Sequence, residues 1–252
     1  VPHSRFDDLT DVYEAMIDWP RRLAHDEPLF RRLFDEVGAR RVADVACGTG
    51  HHAAIFHSWD LHVEAADLSP NMIERARRNF GEPDGLSWAV RSFEQAIPSA
   101  EPFDAVTCLG NSLALAGDRA IAQRAVLSMV DALRPGGVLV LHVLNVWRLP
   151  DGPCAWQKCL RADLPQGECL VTKGVQRVGD RAFVQLVVAP LDKPSEFQSE
   201  SVPFLALEAV DLVGFVESAG GTSIQLFGNQ KSKAFDRESS SDLIVVAKKP
   251  AV

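Results

Sequence analysis

Short apolar runs alternate with amphipathic stretches along this chain, and their spacing predicts strands alternating with helices. Residues 41–46 are an apolar run too short for a helix, closed by Gly48 and Gly50. Residues 61–66 form a second such run, ending at Asp67. Ser69 and Pro70 then mark the cap and first turn of a helix over 73–80. Third and fourth strands are expected at 86–90 and from 103 to 108. Residues 118–133 place Ile121, Ala125, Val126, Met129 and Leu133 on one helical face behind the cap Asp118. That helix ends at Arg134-Pro135-Gly136-Gly137, ahead of a fifth buried strand at 138–143.

Before the first strand, Tyr13, Met16, Ile17, Leu23, Leu29, Phe30, Leu33 and Phe34 predict helices within 6–34, broken near Pro20 and Pro28. After Pro150, residues 169–175 and 182–189 alternate around Gly179-Asp180 as a hairpin. A helix over 205–218 follows, stopped by Gly220-Gly221, and strands at 222–227 and 243–247 close the chain as an antiparallel pair.

Composition narrows the class. The chain has 252 residues, 46% hydrophobic and 24% charged, enough for one large α/β domain. A net charge of −8 without a long basic block argues against a nucleic-acid surface and for small-molecule partners. Cys47, Cys108, Cys154, Cys159 and Cys169 have neither disulfide-framework nor zinc spacing. His51 and His52 point about 100° apart on a helix, so no metal is expected there. With no bilayer-length apolar run and no signal-peptide pattern, the expectation is a cytoplasmic protein that uses no membrane.

The chemistry concentrates where residues 41–46 meet the glycines. A strand, a glycine loop and a helix N-terminus present free backbone N–H groups to a nucleotide-like ligand. Gly48-x-Gly50-x-x-Ala53 satisfies the dinucleotide fingerprint, so an NAD(P)-dependent oxidoreductase is one reading. Asp44 favours another, because a carboxylate beneath the loop repels a pyrophosphate and suits a cation. S-adenosylmethionine carries a sulfonium and an ammonium. Asp67, at the end of the second strand, suits the ribose hydroxyls of either cofactor.

Asp44 to Gly50 resembles the first motif of the class I, Rossmann-like S-adenosylmethionine-dependent methyltransferases. The segment Phe103-Asp104-Ala105-Val106, continuing to Leu109-Gly110-Asn111-Ser112, is similar to glycine/sarcosine N-methyltransferases, and the Arg-Pro-Gly-Gly turn is common in the class. The resemblance implies a seven-stranded, mostly parallel α/β sheet with an antiparallel last strand. It divides the single domain into an N-terminal helical lid (1–38), a cofactor-binding core (39–150), a small β insertion or cap (151–205) and the end of the core sheet (206–252).

Carried over by position, Arg22 would hold the cofactor carboxylate, Ala46 would lie beside the cofactor and Asp67 would take the ribose. Tyr13, Cys47, Gly48, Gly50, Leu68 and Met72 complete that pocket, with Ser92 and Phe93 replacing the family's adenine pair. Leu109 would lie against the cofactor, and Asn111 would help hold the substrate, with Asn145 nearby. The family's arginine for a substrate carboxylate is matched by Leu144, and His142 takes the place of an acid. Arg148 or Arg161 is the expected compensating cation, and His142 the nearest candidate base. The implied activity is metal-free methyl transfer from S-adenosylmethionine to a small amine, releasing S-adenosylhomocysteine. The oxidoreductase and a catalytically silent cofactor-binding module remain the alternatives.

Overall fold

The computed structural model describes residues 9–95, 97 and 101–251. Phe6, where the expected helices begin, lies outside them. Two helices come first, α1 (Thr10–Met16) and α2 (Trp19–Val37). The core then alternates β1 (Arg41–Val45), α3 (His51–His57), β2 (His62–Asp67), α4 (Pro70–Phe80), β3 (Leu86–Val90), β4 (Phe103–Cys108), α5 (Arg119–Ala132) and β5 (Leu133–Leu144). Four long strands follow: β6 (Cys154–Leu164), β7 (Gly167–Val178), β8 (Arg181–Pro190) and β9 (Gln198–Leu205). The chain closes with α6 (Ala209–Ser218), β10 (Thr222–Phe227) and β11 (Asp242–Lys248).

The main sheet has the order β10-β11-β5-β4-β1-β2-β3, with β11 antiparallel to both its neighbours. Side-chain alternation assigns each strand's residues to two faces. Ala43, Val106, Leu139, Leu141 and Val245 pack with Met129 of α5 and Leu212 of α6. Val42, Ala105, Val138, Val140 and Val246 pack with Phe30 of α2, Phe56 of α3 and Ile73 of α4. Each fully buried leucine or phenylalanine in these layers stabilises the fold by about 2 kcal/mol.

Several expected boundaries move. Helix α2 runs through Pro28 rather than breaking there. Pro28 is exposed, so the carbonyl it leaves without an N–H partner can face water. Leu29, Phe30, Leu33 and Phe34, each 3% exposed or less, pin the helix beyond it to the sheet. The expected break near Pro20 is present: α1 ends at Met16, and Pro20 sits in the first turn of α2 behind Asp18, whose side chain accepts from the Arg21 N–H. The Arg-Pro-Gly-Gly turn is drawn into β5, with a register shift against β4 between Phe103 and Ala105. There Arg134 holds the Asp104 carboxylate and the Val37 carbonyl.

The expected hairpin is the centre of a four-stranded antiparallel sheet in the order β6-β7-β8-β9. Leu205 belongs to β9, so α6 starts later than expected, at Ala209 behind a capping box of Glu208 and Asp211. This second sheet packs on α1 through Ala162, Leu164, Cys169, Val171 and Leu186. Val175, Ala182 and Phe204 extend it into the main core.

Candidate functional site

Strand order reverses beside β1, with β2 on one flank and β4 on the other. In open α/β sheets, ligands bind at such a switch point, beyond the carboxyl ends of the strands. Asp44 of β1 stands opposite Thr107 of β4 in register, and the Thr107 hydroxyl donates to Asp44 Oδ1 at 2.8 Å. Asp44 Oδ2 is buried and has no hydrogen-bond partner among the described residues. Burial pushes this acid up to about 6, with Asp67 adding to the rise and His52 and Thr107 opposing it. A buried carboxylate oxygen without a donor suits a ligand ammonium.

The loop after β1 is shaped by close approach. Ala46 and Gly48 take positive φ, and Gly50 begins α3 at φ 86°. A Cβ on Gly50 would meet the Trp88 ring at 2.5 Å, so a larger residue would push the loop off β3. Asp67 is fixed to this loop: its Oδ2 accepts from the Gly48 N–H and its Oδ1 from the Ser69 N–H, each at 2.9 Å. The Ser69 hydroxyl accepts from the Met72 N–H, which leaves Met72 buried while Leu68 stays 49% exposed at the rim. The Cys47 N–H bonds the Ala66 carbonyl, and burial raises its thiol's pKa well above the usual range.

Helices α1 and α2 roof this loop. Tyr13 points its hydroxyl to within 3.4 Å of where a Gly48 Cβ would stand, and burial, then the Asp67 charge, drives its phenol pKa upward. His51 and His52, at the start of α3, find their carboxylates on the lid helices. His51 pairs with Glu14 at 3.2 Å and stacks on Trp19, and His52 Nε2 lies 3.0 Å from Asp26. Asp26, 2% exposed, also accepts from Arg22 Nε at 2.5 Å. Despite its burial, His52 and Arg22 hold its acid down to about 2. The sequence reading missed Asp26, His52 and Thr107. The i,i+4 spacing of Arg22 and Asp26 was the available signal for the first.

At the ends of β4 and β5, Gly110 and Asn111 both take left-handed φ. The Asn111 N–H donates to the His142 carbonyl, and its side-chain Oδ1 accepts from the Leu144 N–H at 3.0 Å. The Asn111 amide hydrogens have no partner among the described residues. Arg22, Leu109 and His142 line one small cavity beside this turn.

His142 Nδ1 lies 3.3 Å from the Gly110 N–H and its Nε2 3.0 Å from Asp242. The neutral ring with its proton on Nε2 satisfies both contacts. No lone pair is then left for proton abstraction, so His142 acts here as a brace between strand ends.

Other expected site residues are engaged differently. Asn145 gives both amide hydrogens to carbonyls, of Arg237 and Ser240, each at 2.8 Å, and so anchors the loop before β11. Arg148 is exposed and makes no ion pair with a described residue. Arg161 lies on the outer face of the second sheet beside Glu168 and cannot supply a cation to the rim. Beyond β3, Ser92 accepts weakly from the Glu94 N–H at 3.5 Å, and Phe93 packs half-buried against the core.

Comparison with known proteins fits this geometry. Residues 42–137 match the family model described as a methyltransferase domain. Over 152 residues the chain is 38% identical to the glycine/sarcosine N-methyltransferase of Parasynechococcus marenigrum, covering 59% of this chain and 54% of that protein. It is 32% identical over 149 residues to dTDP-4-amino-2,3,4,6-tetradeoxy-D-glucose N,N-dimethyltransferase of Saccharopolyspora spinosa, covering 57% and 56%. The chain thus spans about half the length of the curated relatives it matches. In fold it is similar to CalS10, an amino pentose methyltransferase from Micromonospora echinaspora, with a TM-score of 0.73, 24% identity and coverage of 94% and 96%. With a nucleotide-type switch point, an acid beneath the glycine loop and this sequence kinship, residues 42–137 carry a methyltransferase domain of the class I, S-adenosylmethionine-dependent type.

Proposed function

We propose that the protein transfers a methyl group to the amine nitrogen of a small molecule, either an amino acid of the glycine type or an amino sugar. The observation that carries this reading is Asp44 Oδ2, buried at the switch point without a donor. When bound, S-adenosylmethionine supplies a methyl already activated on a sulfonium, together with an ammonium that suits Asp44. Asp67 would take the ribose, Arg22 the carboxylate, and Leu68, Ser92 and Phe93 the adenine end. Tyr13, Ala46, Cys47, Gly48, Gly50, Met72 and Leu109 would shape the rest of that pocket.

The remaining work falls to positioning. A nitrogen held about 3–3.5 Å from the methyl, in line and away from water, reacts without further activation of the donor. Asn111 keeps its amide hydrogens for the acceptor while its oxygen is tied to Leu144, which fixes their direction. His142 and Asp242 brace that turn from below. Deprotonation of the amine is then left to solution, so the rate should rise with pH toward the acceptor amine's own pKa.

Calorimetry with S-adenosylhomocysteine and NAD tests the cofactor. The expected result is binding of the first, weakened about tenfold or more in Asp44→Asn, and none of NAD. Tight binding of NAD alone would sink the reading. A panel of amino acids and amino sugars scored by S-adenosylhomocysteine release then tests transfer, and complete silence would point to a binding module instead.

A further inference from the structure

We propose that Lys173 of β7 is the acceptor-binding cation of this site, receiving an anionic oxygen group carried by the amine substrate, a carboxylate or a diphosphate. The inference rests on the methyl-transfer reading above and narrows its substrate class. It begins with strand alternation. Cys169, Val171, Lys173 and Val175 share the inner face of the second sheet. Cys169 and Val171 pack with Val12 and Met16 of α1, whereas Val175 joins the main core. Lys173, half-buried, therefore sits at the seam between lid, cap and core.

Among the described residues no carboxylate faces it across the sheet. Its neighbours in register are Lys158 on β6 and Leu186 on β8. On the same inner face, Lys158 is committed to the Met16 carbonyl, and Arg177 to the Leu149 carbonyl and the Asp151 carboxylate. Lys173 itself makes no hydrogen bond or ion pair with any described residue. Burial, then the charges of Lys158 and Arg22, push its pKa down. A half-buried cation with two others near it and no anion among the described residues is unfavourable alone, and an anionic ligand supplies the missing partner.

Arg22 ties this seam to the reacting centre. It lies close enough to influence Lys173, and it lines the same cavity as Leu109 and His142. Leu144, where an arginine would meet a substrate carboxylate in the glycine methyltransferases, is in register with Asp242, and Asp242 is already paired with His142. The cation lost from β5 is thus replaced from above, by the cap.

The test is titration of the S-adenosylhomocysteine-loaded protein with acetate, pyrophosphate and uncharged acetamide. Acetate or pyrophosphate should bind and acetamide should not. Lys173→Met should weaken anion binding about tenfold or more, Lys173→Arg should retain it, and neither should change S-adenosylhomocysteine affinity. Preference for acetate marks an amino-acid acceptor, and preference for pyrophosphate a nucleotide-linked amino sugar. Lys173→Met removes like-charge crowding, so its thermal midpoint should equal or exceed that of the parent. Binding of neither anion, or anion binding unaltered in Lys173→Met, overturns the assignment while methyl transfer stands. Failure to bind S-adenosylhomocysteine overturns both.

Discussion

Asp44 and Asp26 are both 2% exposed, yet their acids move in opposite directions, to about 6 and about 2. The difference lies in their partners. Asp26 has Arg22 and His52, so its stabilising contribution is present above the ordinary carboxylate pKa and is lost as pH falls toward 2. Asp44 has one hydroxyl for two oxygens. A raised folded pKa favours the protonated form, so ligand-free stability should decline as pH rises from near 3.8 through about 6. Asp44→Asn should flatten that decline in thermal melts taken across this range. An unchanged slope would show that the carboxylate is compensated in solution. Asp44 and Asp67 were legible in the sequence because strand ends before glycine and serine turns are recognisable locally. Lys173 was not, since its significance depends on which residues stand across two sheets from it.

Among the elements, α2 is the one whose sequence and structure conflict. Pro28 forfeits a helical hydrogen bond inside a 19-residue helix that packing keeps intact. Pro28→Ala should therefore stabilise the protein by up to about 3 kcal/mol in denaturant unfolding, without altering cofactor affinity. No gain would mean that the helix is already relaxed around the ring. The seven core strands could be read from apolar runs bounded by turns. Strand β6 could not, because its alternation breaks at a bulge between Trp156 and Lys158 and most of its residues are exposed. Strand β9 was hidden by Pro203, which an edge strand tolerates.

For the whole molecule, the second sheet is more than an appendage. Its residues enter the lid cluster at one end and the main core at the other, so lid, cap and core share continuous packing. The chain carries a net charge of −8, yet Arg22, Lys158 and Lys173 gather where these three parts meet. On the proposal above, local sign rather than total charge would select the acceptor. No helix among the described residues is long and apolar enough to cross a membrane.

Helix α1 is fastened on three sides. Glu14 reaches His51 of α3, Asp11 reaches Arg75 of α4, and the Met16 carbonyl takes the Lys158 ammonium from β6. One short segment thus closes both the glycine loop and the cap, and its effect is on the order of events. We predict that donor enters before this segment settles on its three anchors and that spent donor leaves only after they release. Initial rates should follow an ordered sequential pattern, with turnover slowed by added viscogen as release becomes the bottleneck. A dead-end acceptor analogue that inhibits non-competitively rather than uncompetitively against the donor, or indifference to viscosity, would show that the two ligands pass independently.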